Sequence, residues 1–325
     1  MDDAGAIDIV VVGSVALDTI RTPQSVGRDL LGGSAAYFSL AAGGLAKVGV
    51  VAVVGDDFPE EHLALLRAHG VDLRGLERRS GPTFRWEGEY GESLKERRSL
   101  RTELGVFGDF HPRLPAGYRN AEVLFLANIQ PELQLEVLAS AGDVKLVAVD
   151  TMDFWIRGNP EALRKVVSKS DLLLLNDEEA ALLTGIHALP EAAAAVRAMG
   201  PQIVVIKKGP HGVVALGPWG WLALPALPVN DVRDPTGAGD SFAGGLLGYL
   251  AGHDWRQRDA CATALSVGTA TGSCAVEGTG VTALALLTSA GIRERCRCLR
   301  EITHFRLPGS GGARSARSTG GQPRR

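Results

Sequence analysis

The chain has 325 residues, 45% apolar and 22% charged, with a formal net charge of −3 at pH 7, the balance of an ordinary globular protein. That charge gives no electrostatic reason to expect nucleic acid or an anionic membrane as the main partner. The longest apolar candidate, residues 242–251, falls well short of the roughly 20 residues of a membrane span.

The start, Met1-Asp2-Asp3-Ala4-Gly5, lacks the basic and apolar regions of a signal peptide. Four cysteines are too few for a disulfide scaffold, so the cytoplasm is the expected compartment. Unbroken Val/Ile/Leu-rich runs at 7–12, 48–54, 123–127, 145–149, 171–175 and 203–206 predict strands buried on both faces. Helix-period stretches at 60–68, 133–139, 160–167 and 191–198 alternate with them. That alternation predicts βαβ units and a doubly wound, mostly parallel sheet. One segment breaks the rhythm. Residues 83–90, Thr-Phe-Arg-Trp-Glu-Gly-Glu-Tyr, alternate with period two and are followed by a turn-like Gly91-Glu92-Ser93 and a charged stretch through Arg101. This predicts an antiparallel excursion off the main sheet, whose aromatic face would serve as a lid over a cleft. After Asp240 the pattern is helical, through 241–250, 256–266 and a last run ending near Ile302. Cys261 and Cys274 lie in apolar stretches and read as core residues, while Cys296-Arg297-Cys298 lacks a matching His/Cys pair for a metal. From Pro308 on, the chain is Gly/Ser/Arg-rich and has too little apolar surface to offset its ordering entropy. One domain over 1–303 and a disordered tail over 304–325 are therefore expected.

The chemistry concentrates in Asp234-Pro235-Thr236-Gly237-Ala238-Gly239-Asp240-Ser241-Phe242, which opens a helical run. Gly237 and Gly239 permit a sharp turn and close approach of a ligand. The amides of Ala238, Gly239 and Asp240 would then lie at a helix N-terminus as an anion hole, with the Asp240 carboxylate facing the cleft. Gly244 and Gly248, four apart, mark a helix face that packs closely on a neighbour. This string resembles the C-terminal signature of the PfkB carbohydrate kinases, the group of ribokinase, fructokinase and adenosine kinase. The resemblance makes Asp240 the general base, Gly237, Ala238 and Gly239 the anion hole, and Asp234 part of a monovalent-cation (K⁺) site.

Further segments carry the resemblance over residues 7–302. Residues 9–18, ending in Asp18, resemble the family's opening strand, whose trailing Asp binds substrate hydroxyls. Gly32-Gly33-Ser34-Ala35-Ala36-Tyr37, with Gly55-Asp56-Asp57, resembles the N-terminal signature, although Tyr37 stands where most sugar kinases have Asn. Asn176-Asp177-Glu178-Glu179 matches an Asn-x-x-Glu motif, which implies Asn176 in phosphate positioning and Glu179 in the water shell of Mg²⁺. As bare residues, the same four also suit an Asn cap with acidic first-turn residues. Ile206-Lys207-Lys208-Gly209-Pro210-His211-Gly212 resembles the nucleotide loop, with Gly209 and Gly212 at its two glycine positions on ATP, Lys207 or, foremost, Lys208 against the triphosphate or else an exposed strand-end lysine, and His211 as a turn residue. Asp150 matches a position near the phosphates. No Gly-x-x-x-x-Gly-Lys-Ser/Thr string is present, which argues against a P-loop ATPase.

The resemblance implies a ribokinase-like three-layer α/β sandwich with a small β lid drawn from parts of 14–40 and 82–107. It implies ATP-dependent phosphoryl transfer to a hydroxyl of a small sugar-like acceptor, held near Asp18, Gly32, Gly33, Tyr37 and Asn128. A nucleoside or inositol acceptor, with Tyr37, Phe84 or Trp86 against its body, is the alternative within the same fold. A catalytically silent metabolite-binding regulator is the alternative outside catalysis. Tyr37 in place of Asn leads to the expectation that ribose and fructose are poor substrates. Exposed lid edges are compatible with a homodimer.

Overall fold

The computed structural model describes residues 6–94 and 96–304; the tail expected over 304–325 lies, from residue 305 on, outside them. The chain opens with β1 (Ile9–Val12), a hairpin of β2 (Ala16–Arg21) and β3 (Val26–Gly32), α1 (Ser34–Ala42), β4 (Val48–Val54), α2 (Glu60–Ala68) and β5 (Asp72–Arg78). A second excursion, β6 (Arg85–Tyr90) and β7 (Arg97–Glu103), precedes β8 (Val123–Leu126), α3 (Pro131–Ser140), β9 (Leu146–Asp150), α4 (Asp153–Gly158) and α5 (Pro160–Val167). Then follow β10 (Leu172–Asn176), α6 (Asp177–Thr184), α7 (Leu189–Ala198), β11 (Ile203–Lys207), β12 (Val213–Gly217) and β13 (Gly220–Leu224). Three helices finish the described chain: α8 (Ala238–Leu250), α9 (Arg258–Ala275) and α10 (Ser289–Thr303).

Nine strands form the main sheet in the order β13-β12-β11-β10-β9-β8-β1-β4-β5, parallel except at β12 and β13. Its central strands are buried on both faces, as their unbroken apolar runs require. In β1, Ile9 and Val11 enter a core with Phe38, Leu246 and Leu265, whereas Val10 and Val12 enter a second core with Leu173, Val166 and Val196. These two cores make the three layers. On the first face α8 lies against α1 at very short range. A Cβ at Gly244 would sit 2.4 Å from the Phe38 carbonyl oxygen, and one at Gly248 would touch Leu45 and Ala42. The paired glycines thus act as the sequence indicated, by removing side chains where two helices meet.

A second sheet, in the order β3-β2-β6-β7, rises from the end of β1. The β6–β7 pair is antiparallel as expected, but β6 also runs parallel beside β2, because the chain returns from β5 before adding it. Two further departures from the sequence expectations have plain causes. Short, partly exposed β12 and β13 carry too little periodicity to stand out, and α9 runs through Gly268, where packing against Phe242 replaces the missing side chain. No helix among the described residues is long and apolar enough to cross a membrane.

This topology fixes where a site can form. β1 pairs with β4 on one side and β8 on the other, so the strand order reverses there. In such sheets a crevice opens at the carboxyl ends of the strands beside the reversal. Asp150, Asn176 and Lys207 end β9, β10 and β11, and the second sheet departs from the same edge.

Candidate active site

The loop before α8 sets the centre of the crevice. Gly237 adopts φ +70° at the helix N-cap, in the left-handed region that favours glycine. A Cβ there would lie 2.2 Å from Cδ1 of Tyr37, so the bare backbone rests on the tyrosine ring. Ala238 donates its amide to the Pro235 carbonyl at 3.3 Å, and Ser241 donates its own to the Gly237 carbonyl at 2.8 Å, so the turn closes around Gly239 and Asp240.

Asp240 is half-buried on the first turn of α8. Burial, and then the nearby Asp150 carboxylate, push its pKa from the ordinary 3.8 up to about 7, against the opposing pull of Lys207 and Arg97. Lys207 donates to both oxygens of Asp150, at 3.1 and 2.8 Å, and its ammonium lies 3.3 Å from the place a Gly239 Cβ would take. Burial opposes the Lys207 charge, but Asp150 and Glu179 outweigh it and hold its pKa above the ordinary value. Lys207 therefore carries a cation into the crevice. Lys208 uses its backbone amide to bond Gly212, closing a turn in which Gly209 and Gly212 have φ +51° and +88°.

Asp18 stands on β2 at 4% exposure, and burial followed by Asp234 and Asp240 raises its pKa to about 8. Gly32 makes room for it, since a Cβ on Gly32 would fall 2.0 Å from Asp18 Oδ2. Gly33 carries the turn into α1, where Ser14 and Ser34 exchange backbone-to-hydroxyl bonds at 3.2 and 3.1 Å. Tyr37 is only 1% exposed, and its buried hydroxyl has no hydrogen-bond partner among the described residues. Burial and the Asp18 charge hold that phenol well above its ordinary pKa. Asn128, at the end of β8, accepts from Trp155 Nε1 at 2.9 Å and points its amide nitrogen at Met152 Sδ.

Asn176 and Glu179 form a reciprocal capping box on α6: Glu179 N–H donates to Asn176 Oδ1, and Asn176 N–H donates to Glu179 Oε2, both at 2.7 Å. The cap alternative of the bare sequence is thus realised, and Glu179 Oε1 is left over. Burial raises Glu179 to about 7, partly relieved by Lys207 and increased by Asp150 and Asp153. Asp234 is fully buried and accepts backbone amides from Thr236 at 2.9 Å and Gly280 at 2.8 Å.

The small sheet covers this crevice. Asp18 and Trp86 are Cα partners across β2 and β6, and so lie side by side on one face. Tyr90, four residues along β6, shares that face and meets Thr236 Oγ1 at 2.9 Å, linking the sheet to the loop before α8. Trp86 lies over Gly88, where a Cβ would be 2.0 Å from the indole. Phe84 turns away into a row with Phe107 and Phe110. Tyr90, Thr236 and Arg97 escaped the sequence analysis as site residues. The period-two run was the signal available for Tyr90, and the signature string around Gly237 the one for Thr236.

The family model described as pfkB family carbohydrate kinase matches residues 6–288. Among individual proteins, the chain is 33% identical over 263 residues to a cytidine kinase of Thermococcus kodakarensis, covering 76% of this chain and 90% of the relative. The fold is shared with the nucleoside kinase of Methanocaldococcus jannaschii, at a TM-score of 0.72 and 21% identity over 90% of this chain and 99% of that one. It is shared too with the aminoimidazole riboside kinase of Salmonella enterica, crystallised with its riboside and an ATP analogue, at a TM-score of 0.68 and 20% identity over 89% and 99% of the two chains. With the signature loop, the reversal-point crevice and the covering sheet in one molecule, the chain belongs to the PfkB family and is a kinase.

Proposed function

We propose that the chain transfers the γ-phosphoryl group of ATP to a sugar hydroxyl of a nucleoside, with Asp240 as the general base. The observation that carries the choice of acceptor is the pairing of Asp18 with Trp86 on the crevice face of the small sheet. A carboxylate suits ribose hydroxyls, and the indole beside it offers a planar base a stacking surface. The cytidine and nucleoside kinases among the relatives support the same choice.

In the transfer, a new bond forms between the acceptor oxygen and the γ-phosphorus as the bond to the bridging oxygen of ADP breaks. The acceptor proton passes to the Asp240 carboxylate. The Gly239 amide and the Lys207 ammonium stabilise charge on the phosphoryl oxygens. Gly209 and Gly212 shape the turn over which ATP lies. The oxygen donors of Glu179 and Asp150 fit Mg²⁺, which takes few protein carboxylates and keeps its waters; it would withdraw charge from the phosphates. Asp234 has no cationic side chain against it among the described residues, so a monovalent cation such as K⁺ fits as its counter-charge. Tyr37 acts from below, holding Gly237 in place.

Comparison of kcat/KM for cytidine, adenosine, inositol, ribose and fructose tests the acceptor. Base stacking contributes about 1–3 kcal/mol, so the best nucleoside should exceed ribose and fructose by at least about tenfold. Trp86→Ala should erase that advantage and leave ribose unchanged. Ribose or fructose as the best acceptor would overturn the nucleoside assignment. Glu179→Gln keeps the cap but removes the charge, so the Mg²⁺ concentration for half-maximal rate should rise severalfold; an unchanged titration would leave Glu179 a cap alone. Because Asp240 must be ionised to accept a proton and its pKa stands near 7, the rate should fall as pH drops below neutrality. A rate flat from pH 8 to pH 5.5 would count against the base.

A further inference from the structure

Asn128 has no part in the mechanism above, yet its amide is held in one orientation. The Trp155 indole is a donor only, and its Nε1 reaches Asn128 at 2.9 Å, so Oδ1 faces Trp155 and Nδ2 faces the other way. There Nδ2 meets Met152 Sδ at 3.0 Å, and a thioether is a weak acceptor. An amide nitrogen carries two N–H bonds, and the second has no partner among the described residues. The frame around this group is built from the same strand ends. Gln134, 1% exposed, donates Nε2 to the Ala127 carbonyl at 3.0 Å and to the Asp150 carbonyl at 3.3 Å, tying the end of β8 to the end of β9. The Met152 carbonyl accepts the amides of Trp155 and Ile156, both at 3.1 Å, which sets the first turn of α4 against that junction.

Asn128 also borders the place of the acceptor. It follows Ala127, whose Cβ lies 3.0 Å from where a Gly13 Cβ would stand. That same point is 2.8 Å from Ser34 Oγ, beside the Gly32-Gly33 turn that makes room for Asp18. Carboxylates such as Asp18 and Asp240 take the protons of sugar hydroxyls, but the acceptor atoms of a base need donors. Trp86 spends Nε1 on Ser99 Oγ at 3.1 Å, Tyr90 and Thr236 bond each other, and Ser14 and Ser34 do likewise. Asn128 keeps an N–H to give. Every natural base carries an acceptor next to its glycosidic bond, O2 in a pyrimidine and N3 in a purine. That atom is the part of the base edge nearest the sugar, and so nearest the strand ends when the ring lies on Trp86.

We infer that Asn128, its amide turned by Trp155, donates to the O2 or N3 acceptor beside the glycosidic bond and so selects nucleosides over acceptors that lack this atom. The inference rests on the nucleoside reading above and deepens it. Stacking on Trp86 accepts any flat ring, whereas this contact asks for a particular atom on it. Asn128 is then a specificity residue, and Trp155 a positioning residue that acts through it. No covalent bond changes at this contact and no proton moves.

The test measures kcat/KM on the full chain for analogues matched except at that atom. One pair is adenosine and 3-deazaadenosine, with 7-deazaadenosine as control; the other is 3-deazauridine and the riboside of 4-pyridone, which lacks the 2-oxo group. In the base class the enzyme uses better, losing the acceptor should cost at least about tenfold, because it leaves a donor unpaired, while 7-deazaadenosine stays within about threefold of adenosine. Asn128→Asp keeps the shape and the bond from Trp155 but cannot donate, so its ratio within the pair should fall to about one or below. Trp155→Phe keeps a ring but frees the amide to flip, so its ratio should fall to about threefold or less. Each ratio is taken within one protein, so a loss of folded enzyme cancels from it. A wild-type ratio near one, a ratio that either variant retains, or an equal loss with 7-deazaadenosine would overturn the inference. So would a loss confined to 2′-deoxynucleosides, which would put the donor on the sugar. If ribose, fructose or inositol outruns every nucleoside, the nucleoside reading itself falls; a best nucleoside indifferent to the missing acceptor sinks only this contact.

Discussion

Asp240→Asn is expected to lower kcat by at least about a hundredfold, within the range ascribed to a positioned base, while ATP affinity stays within a few-fold. An amide keeps the shape of the side chain at the start of α8 but cannot take the acceptor proton. The variant also has a built-in control on folding. Because the folded-state pKa of Asp240 is raised from 3.8 to about 7, its ionisation opposes folding increasingly as pH rises through that interval. Removing the charge should leave the melting temperature at pH 8 equal to or above that of wild type. A variant that is inactive and less stable would point to misfolding; one that is active at near wild-type kcat would remove Asp240 from the chemistry. The thermal melt and the steady-state rate together separate these cases.

Gly237→Ala should be nearly as damaging, for a different reason. The φ of +70° at Gly237 costs an L-residue about 1–2 kcal/mol. The added methyl would also meet Tyr37 at Cγ, Cδ1 and Cε1, at 2.2 to 2.4 Å. Those atoms belong to the body of the ring, and Tyr37 is buried to 1% exposure, so the clash cannot be relieved by swinging a side-chain tip into solvent. Overpacking of this kind typically costs about 1–3 kcal/mol more. The loop should shift, taking the Gly239 amide and Asp240 out of register, with kcat lower by at least about tenfold and a melting temperature several degrees lower. Adding Tyr37→Ala should recover the part due to the clash but not the part due to the backbone. Wild-type rate and stability in the single variant would show that the contact with Tyr37 is not rigid.

Much of the fold was legible because parallel strands must be buried on both faces, and that leaves continuous apolar runs such as 48–54 and 171–175 for the eye to find. β12 and β13 were not, being short and half-exposed, and neither was the second half of α9, where Gly268 looks like a stop until Phe242 is seen to pack on it. At the site, the signature string was legible as chemistry because Gly237, Gly239 and Asp240 are consecutive enough to act together. The lysine was not resolved between two neighbours. Lys207 and Lys208 differ by one residue, and only the pleat of β11, which aims Lys207 at Asp150, separates them. Tyr37 illustrates a deeper limit. Its position in a motif suggests a contact with substrate, whereas the structure places its ring under Gly237, through a pairing of residues 200 apart that no local pattern encodes. The same holds for Tyr90 with Thr236.

The most direct test of Asp240 as the base is single-turnover transfer of labelled γ-phosphoryl from ATP to the preferred acceptor, comparing wild type with Asp240→Asn at saturating Mg²⁺·ATP. Label should appear in the phosphorylated acceptor, and the transfer step itself should be at least about a hundredfold slower in the variant. Transfer at the wild-type rate in a folded Asp240→Asn protein would contradict the assignment of the base, whatever happened to steady-state turnover.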